Sequence, residues 1–527
     1  MSVYLGFDAS TQSLTAILIR VDATRREVIV ERTFRYDDEL PAYGTAYGVL
    51  SGDDPRVVTA PPLMWAEAID RMIGSLVADY PDEMAMLAAV SGSAQQHGSV
   101  YLNAGGLRDI AAVDPHTSLA SQITEIFSRE TSPVWMDSST SVECREIADA
   151  VGGEAVLTAR TGSGAFERFT GPQIRRFYKQ DRSRYQSTAR IHLVSSFLAS
   201  VLAGKDAPID VSDGSGMCLM DLATGRWWPE AVAATAPGLQ SKLPSLAPSS
   251  AAVGELSRYW RERYALPAAK VIAWSGDNGC SLVGTGLVRE GRLGISLGTS
   301  DVVFGPMADR RGRGYADGHV YGSPTGEFMG LTVFKNGSLA RERVRDAYGL
   351  DWAGFSQALR STPAGNNGSV MLPWFDPEIT PHVLVPGVHR LDLDSRDTAA
   401  NVRAVVEAQM IAMANHSRWM GVDIDTIHAT GGASGNGDVL QVMADVFGAT
   451  VCRIASRNAA CLGAALRAWH ADALASDHPI EWDEVTGDLA RPIDGSAATP
   501  RAQHVGTYAR LRERYRAFED RMRPRVV

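Results

Sequence analysis

Two short segments of the chain repeat one pattern, and this repeat constrains the fold more than any other feature. Residues 6–18 (GFDASTQSLTAIL) and 294–305 (GISLGTSDVVFG) each place small hydroxyl residues in a tight turn between two apolar strands. Turns rich in Ser, Thr and Gly join strands in many proteins, so one such hairpin alone indicates little. Two copies, one in each half of a 527-residue chain, predict a duplicated α/β fold with two domains.

The periodicity around the two hairpins supports this division. Apolar residues alternate or run together where strands are predicted, and they recur at helical spacing where helices are predicted. The Pro- and Ser-rich segment 236–252 is the predicted join, which gives domains 1–254 and 255–527. The predicted strands are 3–8, 13–22, 27–36, 87–91, 270–274 and a strand–turn–strand unit at 293–304; the predicted helices are 62–80, 401–420 and 436–447; residues 103–131 and 474–503 are predicted to be polar insertions or surface loops.

Charge and cysteine usage exclude several classes of protein. The formal charge of −10 argues against a nucleic-acid binder, which would normally present a basic face. No run of 18 apolar residues predicts a membrane span, and Asp8 interrupts any apolar signal region at the N-terminus. The five cysteines are scattered and never form a CxxC pair, so a reducing compartment, the cytoplasm, is predicted.

Familiar nucleotide and catalytic motifs are missing from the sequence. There is no GxxxxGK[ST] loop, no GxGxxG after a strand and no HExxH. Residues 294–298 match GxSxG, but a nucleophile elbow requires a following helix, whereas a hydroxyl turn and a second strand follow here. A bound nucleotide must therefore be held by another device.

The two hairpin turns are candidate phosphate sites. Asp8 ends the first strand, and a carboxylate there could hold Mg²⁺ through water. The backbone N–H groups of Ser10, Thr11 and Gln12 could then face phosphate oxygens. Gly298, Thr299 and Ser300 form the second turn, where glycine permits close approach and the hydroxyls can donate. The structural alternatives are a self-capping aspartate and a plain hairpin.

Further polar groups follow predicted strands. Gly431 and Gly432 precede the helix that begins near Asn436, so a nucleotide could lie against bare glycines at a helix N-terminus, or the glycines could serve packing alone. Asp210 or Asp213 could act as a general base, or both could satisfy their own turn. Candidate sugar contacts are His97, Arg168, Asp277 and Asn278. Trp135, Trp274 and Trp352 could line a cleft or belong to the core.

Eight stretches in the order of one known family connect these separate signals. The chain resembles the FGGY carbohydrate kinases from about Val3 to about Ala471. The stretches are QQHGSVY (95–101), PVWMDSST (133–140), ERFTGPQI (167–174), IDVSDGSGM (209–217), SGDN (275–278), SLGTSD (296–301), FKNGSL (334–339) and ATGGAS (429–434).

The resemblance implies a fold and a set of roles. It implies two actin-like, ribonuclease H-like ATPase domains with ATP and sugar in a cleft between them. It implies Asp210 as the catalytic base and Asp8 near Mg²⁺. The implied phosphate contacts are Ser10, Thr11, Gln12, Gly298, Thr299 and Ser300; the implied sugar contacts are His97, Arg168, Asp277 and Asn278; the implied nucleotide contacts are Trp352, Gly431, Gly432 and Asn436.

The resemblance also implies a reaction. The expected activity is transfer of the γ-phosphate of ATP to O5 of D-xylulose, with Mg²⁺ as cofactor and without a nucleic-acid or membrane partner; self-association is left open. The alternatives are a kinase for ribulose, gluconate, fuculose or glycerol, a catalytically silent sugar sensor, and an ATP-hydrolysing assembly protein. One departure stands out: the first turn usually reads Asp-x-Gly-Thr in such kinases, whereas this chain has Ser10 in place of the glycine.

Overall fold

The computed structural model describes residues 1–23, 25–309, 318–455, 458–476 and 479–523. These residues form two compact units. The first contains residues 1–288, 321–328 and 456–490, and the second contains residues 289–320, 329–455 and 491–527. The domain boundary between residues 254 and 255 stays a prediction.

Each unit has one main sheet. In the first unit the strands are β1 (Ser2–Ala9), β2 (Ser13–Val21), β3 (Arg26–Arg35), β4 (Leu87–Ala94), β5 (Ala252–Glu255), β6 (Lys270–Ile272) and β7 (Ser275–Gly276). In the second sheet they are β8 (Arg292–Leu297), β9 (Asp301–Met307), β10 (His319–Gly322), β11 (Phe328–Phe334), β12 (Thr426–Thr430) and β13 (Thr450–Arg453).

The two sheets repeat one arrangement around the predicted hairpins. The first runs in the order β5-β6-β4-β1-β2-β3, with β7 on β4, and the second runs β10-β11-β9-β8-β12-β13. β1 is antiparallel to β2 and parallel to β4, just as β8 is antiparallel to β9 and parallel to β12. The predicted duplication of the strand–turn–strand unit is therefore confirmed, and β1, β2 and β3 form a meander.

The helices of six or more residues follow the chain as α1 to α17. They are α1 (Pro62–Asp79), α2 (Gly106–Ala111), α3 (Ser141–Ala150), α4 (Glu154–Thr161), α5 (Thr170–Gln180), α6 (Arg182–Ser187), α7 (Val194–Ala203), α8 (Pro229–Thr235), α9 (Arg258–Arg263), α10 (Asp277–Gly284), α11 (Ser338–Ala347), α12 (Trp352–Ser361), α13 (Thr398–His416), α14 (Gly437–Phe447), α15 (Ala459–Leu474), α16 (Trp482–Gly487) and α17 (Val505–Met522).

Burial explains why these sequences form these strands. β1 is buried on both faces, so its sequence is an almost continuous apolar run, whereas the edge strand β3 has only half-buried and exposed positions. Alternate side chains of β1 enter different cores: Phe7 packs with α1 and α7, and Tyr4 packs with α15. The sheet is thus covered by helices on both faces.

A close helix crossing fixes the position of α10 beneath the sheet. A Cβ on Gly284 would lie 1.8 Å from the carbonyl oxygen of Ala459, and one on Gly463 would lie 1.9 Å from that of Cys280. Gly6 similarly admits the backbone of α15, because its Cβ would lie 2.4 Å from the nitrogen of Ala465. The N-terminus of α10, which carries Asp277, is therefore held against rigid backbone.

Two expectations about the fold need correction. The segments 103–131 and 474–503 are not loops throughout, since they contain helices α2 and α16 among their described residues. Trp274 does not line a cleft, because it is fully buried and stacks on Phe7 with ring centroids 5.8 Å apart. A residue that follows a strand can point into the core as readily as out of it, and the pattern of the sequence does not distinguish the two.

Candidate active site

The first hairpin contains a buried carboxylate that has no cation partner among the described residues. Asp8 lies near the end of β1 and is 8% exposed. Its Oδ2 accepts a hydrogen bond of 2.5 Å from Oγ of Ser10, while its Oδ1 has no hydrogen-bond partner among the described residues. Burial raises the pKa of Asp8, and the hydroxyls of Ser10 and Ser93 oppose that rise. An uncompensated buried charge is costly, so this oxygen fits an outer-shell contact to Mg²⁺.

The turn between β1 and β2 accommodates serine in place of the usual glycine. Ser10 is not among the described residues with positive φ, so its position does not require glycine. Two neighbours support the turn from outside it. A Cβ on Gly48 would lie 2.0 Å from the carbonyl oxygen of Thr11, and Nε1 of Trp135 donates to Oγ1 of Thr11 at 2.8 Å. Thr11 therefore keeps its own hydroxyl proton available for a phosphate oxygen.

His97 occupies a strained and crowded position after β4. Its φ is +75°, which is uncommon for a residue with a side chain. Its Nδ1 lies 2.9 Å from the carbonyl oxygen of Gly216, and its ring lies against that of Phe169, with centroids 4.6 Å apart. Arg168 is partly exposed, and its guanidinium lies over Phe166 and Phe169 at 5.0 and 5.4 Å. Both side chains are held in place by aromatic packing.

Asp277 and Asn278 begin α10 beside the same segment. Nδ2 of Asn278 donates to Oε1 of Gln96 at 2.8 Å, which joins this helix to the residue before His97. Asp277 is partly exposed and forms no ion pair within the described part of the chain. Burial, followed by the negative charge of Asp8, raises the pKa of Asp277 to about 7. A carboxylate with that pKa can exchange a proton near neutrality.

Asp210, the expected base, has a different environment. It is fully buried, and each of its carboxylate oxygens is already engaged. Oδ1 accepts from the backbone N–H of Asp213 at 2.8 Å, while Oδ2 accepts from Oγ of Ser249 and lies 3.4 Å from Nη2 of Arg467. A base needs an oxygen free to reach the substrate. The role of Asp210 as base stays a prediction, and its contacts in the structure favour a structural role.

Asp213, the other candidate in the same turn, is suited to the neutral form. Its Oδ2 accepts from Oγ of Ser195 at 2.5 Å, and its Oδ1 has no partner among the described residues. Burial raises the pKa of Asp213 well above its usual value, and the nearby carboxylates of Asp210 and Asp277 raise it further. Such a shift disfavours the charged form, which is the form that accepts a proton.

The second turn is formed by Gly298, Thr299 and Ser300 between β8 and β9. Thr299 is exposed, so its hydroxyl and backbone are accessible. The carbonyl oxygen of Gly298 accepts from the backbone N–H of Ser338, which joins the turn to the start of α11, at 2.8 Å. As in the first hairpin, a glycine from another loop packs on the turn: a Cβ on Gly337 would lie 2.7 Å from the carbonyl oxygen of Thr299.

A cavity of about 630 Å³ lies within the second unit, and its lining includes Ser338, whose N–H donates to the turn. Its volume is in the range of small-molecule sites. Gly432 has open space where a Cβ would be, and Gly431 has φ of +83°, with a Cβ position 2.5 Å from the carbonyl oxygen of Leu297. The lining residues include Ser338, Arg341, Trp352, Phe355, Gly432 and Asn436.

Asn436 and Trp352 frame this cavity. Oδ1 of Asn436 accepts from the backbone of Asp438 at 3.0 Å and so caps α14, while its Nδ2 donates to Ser356 at 2.8 Å. Trp352 is 44% exposed, with the guanidinium of Arg345 4.5 Å from its ring. An exposed indole and bare glycines provide flat apolar surfaces on which a nucleobase can stack.

The structure thus brings the expected residues together in two groups. Asp8, His97, Arg168, Asp277, Asn278 and the first turn belong to the first unit; the second turn, Trp352, Gly431, Gly432 and Asn436 belong to the second. Among the described residues no group of three or more His, Cys, Asp or Glu could hold a metal alone, so Asp8 would share Mg²⁺ with phosphate oxygens.

Two buried arginines were not predicted from the sequence. Arg467 donates to the carbonyl oxygens of Ala273 and Ser249 at 2.7 and 2.9 Å and pairs with Asp210. Arg341 pairs with Asp301 directly after the second turn. One signal was available for Arg467: it is the only charged residue in the apolar helical stretch AACLGAALRAW (459–469), and a lone cation on such a helix is buried only with a partner.

Comparison with known proteins places the chain in a class. Residues 130–284 match the N-terminal domain of the FGGY family of carbohydrate kinases, and residues 293–471 match its C-terminal domain. The chain therefore belongs to the FGGY family of carbohydrate kinases, which makes ATP its co-substrate. The resemblance inferred from the sequence motifs is confirmed.

Individual relatives give a finer comparison. The chain is 40% identical over 530 residues to "Xylulose kinase" of Rattus norvegicus, covering 98% of this chain and 96% of that protein. It is 40% identical over 493 residues to "Xylulose kinase 2" of Arabidopsis thaliana, covering 89% of this chain and 87% of that protein.

Solved structures share the fold. A xylulose kinase from Rhodospirillum rubrum superposes with a TM-score of 0.81 at 20% identity, and a gluconate kinase from Lactobacillus acidophilus with 0.80 at 16% identity. Each covers 99% of this chain, and this chain covers 99% and 98% of them. The fold is thus the two-domain α/β fold of the sugar kinases, as expected. No helix in the described ranges is long and apolar enough to cross a membrane.

Proposed function

We propose that this protein is an ATP-dependent kinase that phosphorylates D-xylulose at O5 to give D-xylulose 5-phosphate. One observation carries the choice of sugar: 40% identity with the xylulose kinase of Rattus norvegicus extends over 98% of this chain. The similar solved structures do not discriminate, because a gluconate kinase superposes almost as well as a xylulose kinase.

Asp277 is the proposed base. It accepts the proton from O5 of the sugar while O5 attacks the γ-phosphorus and the bond from that phosphorus to the leaving ADP breaks. Two features support the choice of Asp277 over Asp210: its carboxylate has no cation partner among the described residues, and burial raises its pKa to about 7. A base with a pKa near the working pH is effective in proton transfer.

The sugar hydroxyls contact His97, Arg168 and Asn278 in this proposal. The amide of Asn278 is oriented by Gln96, and the ring of His97 is oriented by Gly216 and Phe169. Side chains that are already fixed lose little entropy when they bind, so they can position O5 accurately. Positioning supplies much of the catalysis in phosphoryl transfer.

The two turns are the proposed phosphate contacts. Ser10, Thr11 and Gln12 offer backbone N–H groups and hydroxyls in the first turn, and Gly298, Thr299 and Ser300 offer the same groups in the second. Asp8 would hold Mg²⁺ through water beside these phosphate contacts. When bound, Mg²⁺ neutralises charge on the transferred phosphoryl group.

The cavity of about 630 Å³ is the proposed site of the nucleoside. The base stacks near Trp352, and the bare backbone of Gly431 and Gly432 admits the ribose. Asn436 shapes the cavity by capping α14 and by bonding to Ser356.

The five cysteines, all buried and unpaired, support the cytoplasm as the compartment.

A coupled assay for ADP tests the proposal. The purified chain is supplied with ATP, Mg²⁺ and, in turn, D-xylulose, D-ribulose, D-gluconate, glycerol or no sugar. We expect ADP release that depends on D-xylulose, with a higher kcat/KM than for the other acceptors. Faster turnover of another acceptor would show that the protein is a kinase whose substrate is that acceptor and not D-xylulose. Thermal stabilisation by D-xylulose without any ADP release would support a sugar sensor instead.

A further inference from the structure

A fully buried ion pair lies directly behind the second phosphate turn. Asp301 is the first residue of β9, immediately after Ser300, and both Asp301 and Arg341 are 1% exposed. Nη1 of Arg341 donates to Oδ2 of Asp301 at 2.8 Å, and Nη2 donates to Oδ1 at 3.0 Å. This two-point contact fixes both the distance and the orientation of the carboxylate.

The same guanidinium is tied to the loop that supports the turn. Nη2 of Arg341 also donates to Oγ of Ser338 at 3.0 Å, and Nη1 donates to Oε1 of Gln409 at 2.8 Å. Nε2 of Gln409 in turn donates to the carbonyl oxygens of Asn336 and Gly337 at 2.7 and 2.9 Å. The network therefore joins the start of β9, the loop 335–338 and helix α13.

The supporting loop touches the turn at backbone level. The N–H of Ser338 donates to the carbonyl oxygen of Gly298 at 2.8 Å. A Cβ on Gly337 would lie 2.7 to 2.8 Å from the carbonyl oxygens of Thr299 and Gly298 and from the nitrogen of Asp301. The backbone of the turn therefore leaves no room for a side chain at position 337.

Stability alone does not account for this network. Replacing a buried ion pair with apolar residues of similar volume is often neutral or stabilising, because both charges lose their hydration. Such a pair holds the segments that carry its two residues in one arrangement, and here one of these segments is the second turn. Arg341 also lines the cavity proposed for the nucleoside.

We propose that Arg341 is a positioning residue for ATP: through Asp301 and Gln409 it fixes the second phosphate turn in the shape that receives the triphosphate. The inference rests on the proposed use of residues 298–300 as a phosphate site. Lysine cannot replace arginine in this role, because a single ammonium group cannot make the fork-shaped contact with Asp301 and also reach Ser338 and Gln409.

The test compares Arg341→Lys with a matched control in the same unit. Arg403 is also buried and pairs with Glu407 at 2.7 Å, and it bonds to Tyr508, but it does not line the nucleoside cavity. For Arg341→Lys we expect the KM for ATP to rise about 10²-fold, because a displacement of about 1 Å can cost that much. The KM for D-xylulose should change little. Arg403→Lys should change neither KM.

Thermal stabilisation by ADP, measured without sugar, separates this inference from the proposed function. If the wild type does not phosphorylate D-xylulose, but ADP stabilises the wild type and not Arg341→Lys, D-xylulose is refuted as the substrate and the positioning role is supported. If the wild type phosphorylates D-xylulose and the KM for ATP is the same in Arg341→Lys and Arg403→Lys, the positioning role is refuted.

A second variant covers the case in which Arg341→Lys does not fold. Gly337→Ala places a methyl group against the turn, and Gly506→Ala is its control, because the nearest atom there is the end of a flexible arginine at 3.5 Å. We expect a raised KM for ATP in Gly337→Ala alone. An unchanged KM for ATP in Gly337→Ala would show that the loop does not set the shape of the turn.

Discussion

The two hairpins of this kinase have the same local architecture and use their aspartates in opposite ways. Each turn has a glycine from another loop packed on its backbone, Gly48 in the first and Gly337 in the second. In the first hairpin Asp8 has no cation partner and one oxygen without a hydrogen bond among the described residues. In the second hairpin Asp301 gives both oxygens to Arg341.

A cation partner within the protein distinguishes structural buried carboxylates from ligand-binding ones. A buried carboxylate that is paired with arginine inside the protein has its charge compensated before any ligand arrives. A buried carboxylate without such a partner has a shifted pKa, or its charge is compensated only when a metal, a proton or a substrate binds. Asp277 and Asp210 repeat the contrast in the first unit, because Asp210 has Arg467 and Asp277 has no ion pair among the described residues.

The largest effect is expected at Asp277. Asp277→Asn removes the proposed base and should lower kcat by roughly 10²- to 10⁴-fold, with a small change in the KM for ATP. In the wild type, kcat/KM should fall as the pH drops below about 7, because protonated Asp277 cannot accept the proton of O5. Measuring both variants from pH 5 to 9 checks the assignment. A fall with the same midpoint in Asp277→Asn would assign the titration to another group.

The next largest effect is expected in stability at Asp210. Asp210→Asn leaves Arg467 buried without its counter-ion and should lower the free energy of unfolding by about 3–5 kcal/mol. Turnover per folded molecule should remain within a few-fold of wild type. Urea denaturation measures the free energy of unfolding, and Glu262→Gln, in an exposed pair with Arg258, is the control for which no measurable loss of stability is expected. Full stability with abolished turnover would restore Asp210 as the base.

Metal dependence separates the two hairpins most directly. Asp8→Asn should raise the Mg²⁺ concentration needed for half-maximal rate by roughly 10- to 100-fold, as for other outer-shell groups, and should not lower stability. Asp301→Asn should leave the Mg²⁺ requirement nearly unchanged and lower stability, because Arg341 loses its partner. Mg²⁺ titrations of both variants check this, and identical curves for wild type and Asp8→Asn would contradict the metal assignment.

The smallest effect concerns the support of the first turn. Trp135→Phe keeps an aromatic ring and removes the N–H that bonds to Thr11, so the KM for ATP should rise by less than about 10-fold, the effect of one neutral hydrogen bond. Trp227→Phe removes a comparable bond to the carbonyl oxygen of Pro244 and should have no effect on that KM. Equal values for the two variants would separate Trp135 from the function of the turn.

The sequence predicted the elements whose signals are local. The strand–turn–strand units at both hairpins were found because alternation of apolar residues and a hydroxyl turn lie within a dozen residues. The helix predicted at 401–420 occurs as Thr398–His416, and it begins three residues earlier because Asp397 caps it. Boundaries set by a side-chain contact are less visible in a periodic pattern.

The sequence did not reveal the partners of buried charges. Asp210 and Arg467 are 257 positions apart, and nothing near Asp210 indicates that a guanidinium will occupy it. The resemblance therefore implied a base at a position where the structure shows a buried ion pair. Asp277 was predicted as a sugar contact, but the burial that raises its pKa depends on how α10 packs under β4.

A crystal structure with D-xylulose, Mg²⁺ and a non-hydrolysable ATP analogue tests most directly whether Asp277 is the base. The quantity to measure is the distance from O5 of the sugar to each candidate carboxylate. We predict that Asp277 lies about 2.6–3.2 Å from O5, the reach of a general base, while Asp210 keeps its contact with Arg467. A structure in which Asp210 has left Arg467 and lies within that distance of O5 would contradict the account.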